Sequence, residues 1–224
     1  RGPAPGIGDP GNSQAAMFLG MHAASGTEGF MAHTLTSRIS WLEVNRKPMA
    51  EIELFSASLA PYGVRPIFFS GCPTACAQAS AAIRKIDSYP IDKSVGPDLF
   101  DADAWRSGLV NGALDSLNNG ATEPYTPSGP FQAEVTWRGG ESAAQKLARR
   151  WGFDQAGARI FIEAADIHEL YGDLIKLCYL TPLTVRILPF GLFLYSLTGR
   201  LGLVWARHRL KKDKYLRLTT GRGM

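Results

Sequence analysis

The chain has 224 residues, 45% of them hydrophobic and 20% charged. That is ordinary globular composition, enough for one sizeable domain or two small ones, and it excludes a disordered chain, a collagen and a coiled coil. The net charge is +4, but residues 200–224 hold eight Lys/Arg against Asp213 alone, so residues 1–199 are net acidic and do not present a nucleic-acid-binding surface.

Residues 1–14 (RGPAPGIGDPGNSQ) contain four Gly and three Pro and no apolar stretch of the kind a signal peptide needs. They read as a flexible lead-in, and a chain starting on Arg1 reads as a fragment or a processed product. Residues 15–20 (AAMFLG) form a short apolar run that predicts a buried strand. A loop carrying His22 follows, then a strand over 39–45 (ISWLEVN) and a turn at Asn45-Arg46-Lys47-Pro48. Residues 49–60 predict a helix with Ile52, Phe55, Ser56 and Leu59 on one face, closed by Gly63. Residues 64–70 (VRPIFFS) predict a second buried strand. This alternation is that of an α/β sheet with crossover helices.

Helices are expected over 73–86 and 103–117, the latter with Trp105, Leu109, Val110, Ala113 and Leu117 facing inward. Residues 119–130 read as a linker rich in Gly, Pro, Ser and Thr. A strand over 131–137, a helix over 141–151, a strand over 159–163 and a helix over 167–180 follow. No internal repeat is present. The chain is thus expected to divide into a lead-in at 1–14, α/β portions at 15–118 and 131–180 joined by that linker, and a tail at 181–224.

The tail holds the most apolar stretch, ILPFGLFLYSL at 187–197. Its uncharged run between Arg186 and Arg200 has 13 residues, and a spanning helix needs about 20. The expectation is a helix docked on a core or an interface. A helix lying on an anionic membrane surface, followed by the basic tail, is the second reading.

The densest polar constellation is GMHAASGTEGFMAHT at 20–34. His22 follows the first strand directly, at the carboxyl edge where open α/β sheets bind ligands. His33 lies eleven residues on, and Glu51 opens the next helix. Imidazole and carboxylate together suit zinc, and a further His near a metal can move protons. A His at a strand end is also commonly a hydrogen-bonding residue, and Glu at a helix start is favoured by the helix dipole alone. Cys72 and Cys76 read as small apolar residues at a helix start. With Cys178 they are too few for a disulfide framework and point to a reducing, cytoplasmic setting. His168 and His208 take no role.

Three segments, AAMFLGMHAASGTEGFMAHT, WLEVNRKPMAEIEL and GVRPIFFSG, resemble the M55 family of zinc-dependent D-aminopeptidases. The family pattern is G-x-H-A after a strand, a second His in an H-[ST] pair, an N-G-x-P-x-[GA]-E element and a strand ending in Gly-Asp. EPYTPSGPFQAEVTW and GARIFIEAADIHELYGDLIKL resemble its later segments more loosely. The resemblance implies that His22 and Glu51 are metal ligands and that His33 is a catalytic residue beside two zinc ions. It implies hydrolysis of N-terminal D-amino acids from short peptides by a ring-forming homo-oligomer, on a three-layer mixed α/β sheet.

The departures are specific. The family's opening strand, with its Asp-x-Glu-Gly motif, and a further His are not in this chain. The first strand–helix units of the sheet are therefore expected to be lacking, leaving an unpaired sheet edge. Gly71-Cys72 stands in place of Gly-Asp, Asn45-Arg46 in place of Asn-Gly, and Phe55 where a small polar residue is common. These departures motivate the alternative of a catalytically inactive fragment or interaction subunit.

Overall fold

The computed structural model describes residues 10–92, 96–118 and 122–220, with Pro97 and residues 210–220 described by backbone alone. Residues 1–9 of the expected lead-in, 119–121 of the expected linker and 221–224 of the tail lie outside the described residues. Two compact units divide the chain, Arg1–Tyr179 and Leu180–Met224.

The first unit is mixed α/β, with parallel and antiparallel pairing segregated into two sheets. In the parallel sheet, β1 (Ala15–Met21) pairs with β4 (Arg65–Gly71), and β4 with the short β5 (Asp87–Ser88). The antiparallel sheet runs β3 (Lys47–Pro48), β2 (Ile39–Val44), β6 (Phe131–Trp137), β8 (Arg159–Ala164), β7 (Asp154–Ala156). Every predicted strand is present. The three short strands β3, β5 and β7 are too brief to leave a periodic signal.

Each strand's sequence matches its place. In β4 every residue from Pro66 to Gly71 is buried, as a central parallel strand covered on both faces requires. Helix α2 (Pro73–Ala82) and helix α3 (Ala102–Asn118) both pack on it. In β6 only alternate residues are fully buried, and Ala133 and Val135 face Ile162 and Ile160 of β8 across the ladder. That is the alternation of an antiparallel sheet with one covered face. Helices α4 (Gly140–Trp151), with Ala144 and Ala148 buried, and α5 (Ile167–Tyr179), with Leu170, Leu174 and Leu177 buried, both pack on this sheet. Helix α5 also packs on helix α1 (Glu51–Leu59), where the Tyr171 ring meets Phe55 edge-on at 5.9 Å.

Two expectations about inward faces are corrected. The run at 15–20 is not fully buried: Met17 and Leu19 are exposed, because β1 pairs only with β4 among the described residues and so forms the sheet edge. In α3, Val110 and Leu117 are exposed, while Trp105, Leu109 and Ala113 are half-buried. Two glycines rotate that contact face: Gly108 lies against Tyr89 and Gly112 against Phe68, so the helix approaches by its smallest residues.

Among the described residues the second unit holds one helix, α6 (Pro182–Thr220). Its stretch Pro182–Arg209 is long and apolar enough to cross a membrane, and its most apolar window is 0% buried. Arg200, which ends the uncharged run, lies inside the helix, which continues for a further twenty residues.

Candidate metal centre

The site begins where β1 ends. Met21 is the last strand residue, and His22 opens a loop that runs to β2. The loop is irregular but fastened. The Ser25 amide donates to Thr34 Oγ1 at 3.1 Å, and the Thr34 amide donates back to Ser25 Oγ at 2.7 Å. Thr34 Oγ1 in turn donates to the Met49 carbonyl at 2.9 Å. Both side chains are fully buried. The His33 amide donates to the Ala23 carbonyl at 3.0 Å, which returns the chain alongside its start. On the α2 side, Gln78 accepts from the Ala24 amide and donates to Thr27 Oγ1.

This folding brings the two histidines together, with ring centroids 4.6 Å apart and planes inclined by 41°. His22 Nδ1 lies 3.0 Å from the Phe30 carbonyl and His33 Nδ1 lies 2.8 Å from the Met31 carbonyl. A carbonyl oxygen can only accept, so each Nδ1 is the donor, which leaves Nε2 as the nitrogen turned to other partners. An imidazole anchored at one nitrogen by a backbone carbonyl is oriented for metal or proton work at the other.

Glu51 is the first residue of α1, and its Oε1 accepts the Leu35 amide at 2.9 Å. Glu51 is thereby tied to the same loop, two residues beyond His33. Leu35 itself sits at φ +62° and its carbonyl accepts the Tyr179 hydroxyl. Burial pushes the Tyr171 phenol up to about 12, and the Glu51 charge adds to the shift. The Tyr179 phenol is raised too, by burial first and then by Cys178 and Glu51. The carboxylate therefore lies among neutral phenols.

The donor count limits what this set can hold. Catalytic zinc takes three protein ligands plus water. Among the described residues no three His, Cys, Asp or Glu side chains form such a cluster. His22, His33 and Glu51 are brought to one loop, but they do not complete a zinc site. Cys72 and Cys76 are buried free thiols at the start of α2, and Cys178 is a buried free thiol in α5, as small apolar residues would be.

Sequence reasoning missed Glu53 and Tyr125. Glu53 Oε2 accepts the Ala50 amide at 2.9 Å, and the Tyr125 hydroxyl donates to Oε1 at 3.3 Å. Burial pushes the Glu53 carboxyl above its ordinary range, partly offset by those bonds and by Lys47. The pair borders a cavity of about 390 Å³ with Ala24, Thr27 and Gln78. The Glu at the third helical position was a legible capping signal. Tyr125 was not legible, because its segment reads as a linker by composition.

A family model for M55 peptidases, described as D-aminopeptidase, matches residues 8–174. The chain belongs to the M55 peptidase family. This M55 chain is 25% identical over 118 residues to the D-aminopeptidase of Bacillus subtilis (strain 168), a match covering 51% of the chain and 43% of that relative. Among solved structures it is similar to the Zn-dependent D-aminopeptidase DppA from Bacillus subtilis, a self-compartmentalizing protease. That likeness has a TM-score of 0.66 at 20% identity and covers 75% of this chain and 63% of DppA. It shows that the M55 fold is shared. The chain spans less than two thirds of either relative.

Proposed function

We propose that this M55 chain carries part of the active site of a zinc-dependent aminopeptidase that removes N-terminal D-amino acids from short peptides. The observation that carries this reading is the His22–His33 pair, both rings anchored at Nδ1, with Glu51 bound to the same loop. The family match over residues 8–174 and the zinc dependence of the similar DppA support it.

In this reading His22 Nε2 and the Glu51 carboxylate are two of the metal donors. The others come from outside the described residues, from further chain or from a second copy. A self-compartmentalizing relative favours an assembly of copies. His33 holds its Nε2 beside His22, where it can exchange a proton with a water molecule or with the departing amine of a peptide. Its Met31 anchor keeps that nitrogen from turning away. Two donors alone do not complete a zinc site.

A second reading is an inactive or interaction subunit on the same fold, favoured by the lack of a complete donor cluster among the described residues. Elemental analysis separates the two. A zinc content near one or two per chain in the purified protein, lost in both His22→Ala and Glu51→Ala, supports the enzyme reading. Release of D-alanine from a D-alanyl peptide that disappears in His33→Ala would add the catalytic role. Zinc near zero, with no change in any of these variants, supports the subunit reading.

A further inference from the structure

Helix α6 has an apolar surface with no polar face to complement it. Residues 187–206 contain one charged side chain, Arg200, in twenty positions. Successive steps of about 100° carry the apolar residues round the whole circumference. Phe190, Leu194 and Leu201 lie along one side, Leu192 and Leu203 along the opposite side, and all five are exposed. A helix lying on a membrane surface needs a polar face, and a surface helix of a globular protein needs one too. A helix apolar all round is at home only where its whole circumference is covered.

Length selects the cover. Twenty helical residues rise about 30 Å, the thickness of a bilayer's hydrocarbon core. Arg200 lies six residues from the end of that stretch, about 9 Å along the axis, within reach for a long side chain to extend its guanidinium to the nearer interface. That interface is marked independently. Arg209 stacks over the Trp205 ring at 4.7 Å, an aromatic and a cation paired where the apolar stretch ends. Beyond residue 206 the chain holds seven Lys/Arg against one Asp, the complement of an anionic headgroup surface. Pro189 lies near the other end, where a membrane helix tolerates it.

We infer that residues 187–206 cross a lipid bilayer as a single span, with the basic stretch after residue 206 against anionic headgroups. The test is reconstitution of the full chain from detergent into phosphatidylcholine vesicles containing a minor share of phosphatidylserine, followed by flotation. The chain floats with the vesicles, stays through a high-salt wash and an alkaline carbonate wash, and is released by detergent alone. Leu197→Asp places a carboxylate at the middle of the span on an exposed position, so the folding of residues 10–179 is untouched. It lowers the partition coefficient into the vesicles on the order of 100-fold. Release by salt or carbonate would make α6 a surface-bound helix and overturn the span. So would a wild-type chain that stays as a discrete soluble oligomer without detergent, its apolar helices covered copy against copy. Flotation of Leu197→Asp equal to wild type overturns it as well. None of these readouts depends on zinc or on peptidase activity.

Discussion

Replacing Thr34 with valine isolates the hydroxyl that fastens the histidine loop. Thr34 is fully buried, its Oγ1 accepts the Ser25 amide, and it donates to the Met49 carbonyl. Valine keeps the shape and removes both bonds, which leaves a buried N–H and a buried C=O without partners. A buried polar group stripped of its partner costs about 1–3 kcal/mol, so the pair costs about 2–6 kcal/mol. Whole-domain stability is only about 5–15 kcal/mol, so the change is large. Thr34→Ser keeps the hydroxyl and loses one methyl group, which costs about 1 kcal/mol. Urea unfolding of the full chain, followed by tryptophan fluorescence, reads both variants against wild type at constant slope. The valine variant unfolds at clearly lower urea than the serine variant. Equal midpoints for the valine and serine variants would refute the reasoning: the loop would then be held by packing and not by this hydroxyl.

Two further outcomes follow from other buried groups. The Glu53 carboxyl is raised above 4.5 mainly by burial, so the folded state holds its proton more tightly than the unfolded state does. Its contribution is full below the unfolded value and is lost as pH rises through the folded one, and Glu53→Gln removes that fall. Urea midpoints of wild type and variant across the acid range check this, and parallel curves would count against it. Burial pushes the Cys178 thiol up to about 12, and Cys72 and Cys76 are also buried. Iodoacetamide at mildly alkaline pH therefore leaves the native chain unmodified by intact mass and labels three thiols in urea; rapid native labelling would contradict the packing.

The strands were legible wherever burial writes a strong pattern. The continuous apolar run of VRPIFFS became β4, and the alternation of FQAEVTW became β6. Gly63 closes the α1 region at φ +71°, as expected of a residue past a helix end. What failed was the assignment of faces. Met17 and Leu19 look like core residues until the sheet order makes β1 an edge. Gly108 and Gly112 carry no hydrophobic signal, yet they decide which side of α3 packs. At the site, spacing and resemblance brought His22, His33 and Glu51 forward; the fold sets the two imidazoles side by side and ties Glu51, from α1, to the Leu35 amide of the same loop. The Nδ1 anchors were not legible, because their partners are backbone carbonyls, which leave no residue-type signature.

The reciprocal Ser25–Thr34 bonds also bear on how anything reaches the histidines. A loop of irregular backbone is often a gate, opening and closing on microsecond to millisecond timescales and setting the pace of turnover. This loop has no cheap open form, because swinging it outward breaks the bonds to Met49 and Glu51 together with the pair itself. Its amides at Ser25, Thr34 and Leu35 should exchange with solvent as slowly as those of a strand. On the proposed reading, an arriving ion or substrate meets two imidazoles already aimed, so association is limited by approach and desolvation rather than by waiting for the loop to order.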